Sequence, residues 1–160
     1  MFKNSILNIK IKPYAFAKIK GSKDYPNING IVYFYQTHKG VLVNIQLNGL
    51  PVSDDICKQP IFAVHIHSGG SCTGNNIDPF SDALMHYNPN NCAHPYHAGD
   101  LPPIFGVDGL GFSVFLINRF SAEEIIGKTI IVHSSPDDFK TQPSGNSGAK
   151  IACGVISSVY

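Results

Sequence analysis

Between Val41 and Leu47 the chain alternates: Val41, Val43, Ile45 and Leu47 fall on one side of an extended chain, with Asn44 and Gln46 on the other. Short runs of the same kind, set between turn residues, predict further strands over 15–20, 31–36, 61–67, 112–117, 129–133 and 151–156. Ser121-Ala122-Glu123-Glu124 has the pattern that caps a short helical turn. No long segment carries the helical period, so the expected fold is all-β. Two stretches, about 68–100 and 134–149, show no strand pattern. Loops this long inside a compact domain tend to be functional or disordered, and both adjoin histidines.

Composition agrees with this picture. Fifteen Gly and eleven Pro supply the turns of an all-β chain, and 160 residues fit a single domain spanning 1–160. Apolar residues at 43% are enough for a packed core. A net charge of +1 selects neither nucleic acid nor an acidic partner, so any electrostatic function is local. No apolar run is long enough to span a membrane. Lys3, Lys10, Lys12, Lys18 and Lys20 interrupt each candidate leader segment, so the expected compartment is the cytoplasm; a trimmed exported chain would look the same. Cys57, Cys72, Cys92 and Cys153 allow three full pairings and lack the spacing of a zinc ribbon, while a reducing cytoplasm favours thiols.

The candidate chemistry lies in the histidines, at positions 38, 65, 67, 86, 94, 97 and 133. His65 and His67, two apart on a predicted strand, share a face, and Phe62, Val64 and Ile66 take the opposite one. His133 ends another apolar strand. His86, His94, His97 and Asp100 crowd one loop. A lone strand histidine is usually a hydrogen-bonded structural residue; His38, alone in a predicted turn, is read that way. Three histidines and an acid in fifteen loop residues, beside a His-x-His, point to metal binding. Nitrogen-rich donors with one carboxylate suit copper and zinc.

The motifs fall in a familiar order. Val64-His65-Ile66-His67, Cys72, His86-Tyr87-Asn88-Pro89, His97-Ala98-Gly99-Asp100-Leu101, 127–133 (GKTIIVH) and 145–156 (GNSGAKIACGVI) resemble the blocks of copper/zinc superoxide dismutases, bacterial members most of all. The resemblance covers about 41–156. It implies an eight-stranded Greek-key β-sandwich or flattened barrel with two long functional loops. It implies a copper ion on His65, His67, His86 and His133, and a zinc ion on His86, His94, His97 and Asp100, with His86 bridging the two. Asp137 would link His65 to His94 by hydrogen bonds, and Cys72 would pair with Cys153; Cys57 and Cys92 are left as free thiols or a second bridge.

The activity implied is disproportionation of superoxide, the small-molecule substrate, to oxygen and hydrogen peroxide. His86 would give and take a proton in this cycle, and a cation would guide the anion. Lys150 stands where the family has Arg, keeping the charge without the planar fork of donors, and Lys140 can add to the positive field. Leu84-Met85 precede His86 where the family has small residues, and can crowd that histidine or cover the channel to the copper. His94 and His97 are only three apart, with Pro95 suited to a turn between them. The alternative reading is a copper-binding or copper-buffering protein with little catalysis; a zinc-only sandwich is a third. A copper chaperone and a homodimer are possible protein partners; nucleic acid and membrane are not expected.

Overall fold

The structure, a computed structural model, describes residues 12–160, so Lys3 and Lys10 lie outside the described residues. Its strands are β1 (Ala15–Gly21), β2 (Asn29–Thr37), β3 (Gly40–Asn48), β4 (Ile61–Phe62), β5 (Val64–His67), β6 (Ile104–Val107), β7 (Leu110–Ile117), β8 (Thr129–His133) and β9 (Lys150–Ser158). They form one antiparallel sheet in the order β4-β6-β7-β3-β2-β1-β9-β8-β5. The two end strands, β4 and β5, are separated in the chain by Ala63 alone. One continuous segment thus pairs with β6 before Ala63 and with β8 after it, and the sheet closes into a flattened barrel. Chain order β3, β4, β6, β7 maps to spatial order β4-β6-β7-β3, a Greek key.

The strand expected over 61–67 is therefore two strands, which accounts for nine where eight were expected. Ala63 keeps its hydrogen bonds through the switch. Its N–H donates to the Ser135 carbonyl (2.9 Å), and its carbonyl accepts from the His133 amide (2.9 Å). The capping pattern at Ser121 is realised on a turn, without a helix: the Ser121 amide donates to Glu124 Oε2 (2.6 Å) and the Glu124 amide to Ser121 Oγ (3.4 Å).

Alternation sets the core. Val41, Val43, Ile45 and Leu47 of β3 are fully buried and cluster with Ile19, Phe34, Phe62, Val64, Ile66 and Ile156. Each such side chain stabilises the fold by roughly 1.5–3 kcal/mol. Asn44, expected on the outer side, is nonetheless 1% exposed, and its Oδ1 accepts from Gln46 Nε2 (3.3 Å). On β5, Val64 and Ile66 join the core, which sends His65 and His67 to the outer face. These histidines are buried too, because the long loop after β5 covers them. The Cys72–Cys153 disulfide ties that loop to β9, and Cys57 and Cys92 are free and exposed. Closing a segment of 81 residues stabilises the fold by about 4–5 kcal/mol on the chain-entropy account. Among the described residues no helix is long and apolar enough to cross a membrane.

Candidate metal centre

The loop after β5 folds back and hydrogen-bonds along that strand. Ser68 N–H donates to the Met85 carbonyl and Gly69 N–H to the Ala83 carbonyl (both 2.8 Å). Tyr87 N–H donates to the Ile66 carbonyl (2.8 Å), and Ile66 N–H to the Gly99 carbonyl (2.9 Å). The open edge of β5 is thereby covered. Its register sets His86 opposite His67 and Asp100 opposite His65. Strand β8 brings in His133 from the other side of β5.

Two groups of donors result. His65, His67, His86 and His133 each offer one ligand atom within 4.8 Å of the others, and so do His86, His94, His97 and Asp100. All seven residues are buried, and His86 belongs to both groups. Six histidines expected to act as ligands are therefore gathered together with Asp100. His38 sits apart, exposed in the turn between β2 and β3.

Hydrogen bonds decide which nitrogen each ring presents. His65 Nε2–H donates to Asp137 Oδ2 (2.8 Å), which leaves its buried Nδ1 without a partner. His67 Nδ1–H donates to the Leu84 carbonyl (2.8 Å), leaving Nε2 3.4 Å from His133 Nε2. His133 Nδ1 faces the Gly148 carbonyl at 3.4 Å. His94 Nε2–H donates to Asp137 Oδ1 (2.9 Å). His94 Nδ1 lies 3.0 Å from Asp100 Oδ2 without the alignment of a hydrogen bond. His86 faces both ways: Nδ1 is 2.7 Å from Asp100 Oδ1 and 3.4 Å from His97 Nδ1, while the buried Nε2 has no partner. Asp137 thus holds one ring from each group.

Burial dominates the electrostatics. It lowers the His65 pKa, against the opposing hydrogen bond to Asp137. Burial and the neighbouring His133 put His67 well below its ordinary value. Burial, with His65 beside it, takes His133 to about 3. Near neutrality these rings are uncharged and keep a lone pair for a metal. Burial alone would raise the Asp137 carboxyl, but hydrogen bonds from His65, the Phe139 amide and His94 outweigh it and hold the group at about 2. Burial also opposes ionisation of Asp100; the hydrogen bond from His86 and the charges of His86, His97 and His94 bring it below the usual range.

The donors fit metal ions. Two atoms about 2.0–2.1 Å from one tetrahedral ion lie about 3.4 Å apart. The His86–His97 nitrogens at 3.4 Å and His97 Nδ1 to Asp100 Oδ1 at 3.3 Å match that spacing. The unpartnered buried nitrogens of His65, His86 and His94 are polar atoms that an ion would satisfy.

A sequence profile of the family described as copper/zinc superoxide dismutase matches residues 28–156. The chain belongs to this family. A copper-zinc superoxide dismutase of Aquifex aeolicus is 35% identical over 136 residues, covering 76% of this chain and 74% of that protein. One from Deinococcus radiodurans is 32% identical over 151 residues, covering 82% and 79%. Among solved structures, the copper/zinc superoxide dismutase from Brucella abortus superposes with a TM-score of 0.73 at 25% identity, covering 88% of this chain and 98% of that one. In this copper/zinc superoxide dismutase family member the two histidine-rich groups are where metal can be held.

A pocket of about 290 Å³ opens onto the first group, with His67, His86 and His133 in its lining. Leu84 and Met85 do not bury against His86; they are 57% and 56% exposed and line the pocket. Lys150 lines it too. Its ammonium donates to Asp78 Oδ2 (2.7 Å) and to the Phe80 carbonyl (3.2 Å). Lys140 is exposed and outside this lining.

Four supporting residues were not foreseen. The Gln142 side chain grips the His94 backbone from both sides: Nε2 donates to its carbonyl (2.7 Å) and Oε1 accepts from its amide (3.0 Å). Arg119 donates to the Pro95 (2.9 Å) and His97 (3.1 Å) carbonyls. Tyr96 N–H closes the turn through Pro95 onto the Ala93 carbonyl (2.8 Å), so the three-residue spacing brings His94 and His97 together. Gly145, at φ +69°, presses on the Asp137–His94 pair: a Cβ there would lie 2.0 Å from Asp137 Oδ1 and 2.7 Å from His94 Nε2. The only local signal for any of them was a Gly-Asn pair typical of turns.

Proposed function

We propose that the protein disproportionates superoxide to oxygen and hydrogen peroxide, with copper held by His65, His67, His86 and His133 and zinc by His86, His94, His97 and Asp100. The observation that carries this reading is His86. Its two nitrogens face two different donor groups, one without any partner and the other against Asp100 and His97. When bound, copper supplies a one-electron couple that can both accept an electron from superoxide and return one, while zinc contributes no redox chemistry.

The chain's own residues do the rest. Asp137 fixes the tautomers of His65 and His94, and the Leu84 carbonyl fixes that of His67. His86 Nε2, next to the pocket, is the atom at which a proton can be held for delivery to the reduced product. Apolar Leu84, Met85 and Ile77 narrow the entrance, and Lys150 supplies a cation on the wall for a small anion.

The test is the dismutation rate of protein reconstituted with copper and zinc, alongside a metal assay and His133→Ala. Fast turnover that the substitution abolishes supports the reading. Stoichiometric copper with turnover no faster than background would replace it with the copper-buffering alternative.

A further inference from the structure

Lys150 has a rival for its ligand. Among the residues lining the pocket above His67, His86 and His133, Lys150 is the one lysine or arginine and Asp78 the one carboxylate, and their charged atoms are 2.7 Å apart. Asp78 is held in place by its own loop. Its Oδ1 accepts from the Phe80 amide (3.0 Å), its backbone amide donates to Asn75 Oδ1 (3.0 Å), and its carbonyl accepts from the Asn75 (2.9 Å) and Ser81 (3.2 Å) amides. The Cys72–Cys153 disulfide tethers the same loop to the same strand three residues beyond Lys150. The Lys150 side chain is 16% exposed and that of Asp78 37%, so solvent only partly screens the pair.

We propose that Asp78 is a positioning residue that competes with the incoming anion for the Lys150 ammonium and so attenuates capture at this pocket. The inference rests on the dismutase reading for its biological meaning, but the competition belongs to the two side chains. An ammonium beside a carboxylate presents a short-range dipole to an approaching anion, where an unpaired ammonium presents a net charge. A small anion must therefore displace Asp78 Oδ2 to reach Lys150 Nζ. The exchange forms and breaks no covalent bond. Asp78 Oδ1 remains tied to the loop throughout, so the loop need not move.

Asp78→Asn tests this, because the amide oxygen can still accept from the Phe80 amide while the charge is gone. Azide serves as the probe, a stable monoanion. In full-length zinc-loaded, copper-free protein, the side-chain NMR signal of Lys150 is followed during azide titration. The half-saturation concentration should fall about threefold to tenfold in Asp78→Asn. In copper- and zinc-loaded protein, kcat/KM for superoxide at low ionic strength should rise by a similar factor and converge with the parent at high salt. Asp78→Asn on a Lys150→Met background, which has no Lys150 signal to follow, should leave kcat/KM for superoxide unchanged. Unchanged azide affinity at Lys150, or an equal rise of kcat/KM in the Lys150→Met background, would overturn the proposal. A copper-loaded parent without dismutation would instead remove the function on which its meaning rests, leaving the azide result to decide the competition.

Discussion

His65, His67 and His133 stand on strands whose alternate residues lie in the barrel core, whereas His94, His97 and Asp100 stand on a loop without regular structure. In the first group, burying Val64, Ile66 and Val132 fixes the backbone and therefore the rings. In the second, buried Leu101 and the bridge to His65 set Asp100, while His94 and His97 lie on backbone outside the core cluster. Gln142, Arg119 and Gly145 hold it by polar contact and close approach. One donor group is thus a by-product of the fold, and the other is an added construction resting on a few contacts. Asp137 and His86 join the two.

The largest expected effect cuts the two groups apart. His133→Ala should lower copper content and reduce turnover at least about a hundredfold while zinc content and melting temperature stay near those of the parent. His97→Ala should do the reverse for metal content, releasing zinc first; elemental analysis of both variants measures this. If His97→Ala loses copper and zinc together, the groups are not separable.

Next comes the residue they share. Asp137→Asn keeps one acceptor oxygen for two ring N–H groups, so affinity should drop about 10- to 100-fold in both groups. Competitive chelator titrations would show it. A loss confined to one metal would mean that the bridge serves only that side.

Acid should act on the strand-borne group first. The folded-state pKa of His133 is about 3, far below the ordinary 6.5, so between these values the unfolded chain binds more protons and stability falls as pH falls. His65 and His67 shift in the same direction. Metal-free protein should therefore be less stable at pH 5.0 than at pH 7.5, by about 2 kcal/mol from His133 alone. Asp137 depends on pH in the same direction but in a lower window: its contribution is complete above the ordinary carboxylate value of 3.8 and is lost only as pH falls towards 2. Denaturant melts of the metal-free chain at pH 7.5, 5.0 and 3.5 would test the order of these losses.

The smaller effects probe the loop's props. Gly145→Ala places a methyl against Asp137 and His94 at a positive φ, and should cost about 1–3 kcal/mol, with zinc affinity falling more than copper affinity. Gln142→Ala, at an exposed position, should cost about 1 kcal/mol and loosen zinc alone. Equal loss of both metals in either variant would contradict the division drawn between strand and loop.

The chemistry of this protein was legible in its sequence to an unusual depth, because donor identity is a property of single residues. His-x-His on an alternating strand declares its own geometry, and so does the apolar row of Val41, Val43, Ile45 and Leu47. Both appear in the structure as read, and the disulfide between Cys72 and Cys153 follows the family resemblance. Local pattern was less complete elsewhere. The hairpin of β6 and β7 turns at Asp108-Gly109, both at positive φ, and its signal was present, but Pro102-Pro103 and a four-residue strand obscured it. What only the tertiary structure decided lies between residues distant in the chain. The switch at Ala63 depends on β6 and β8 arriving on opposite sides of one segment. The grip of Gln142 on His94 spans 48 residues, and the pairing of Lys150 with Asp78 spans 72. Periodicity reports which face a side chain takes; it carries no information about which distant group will be waiting there.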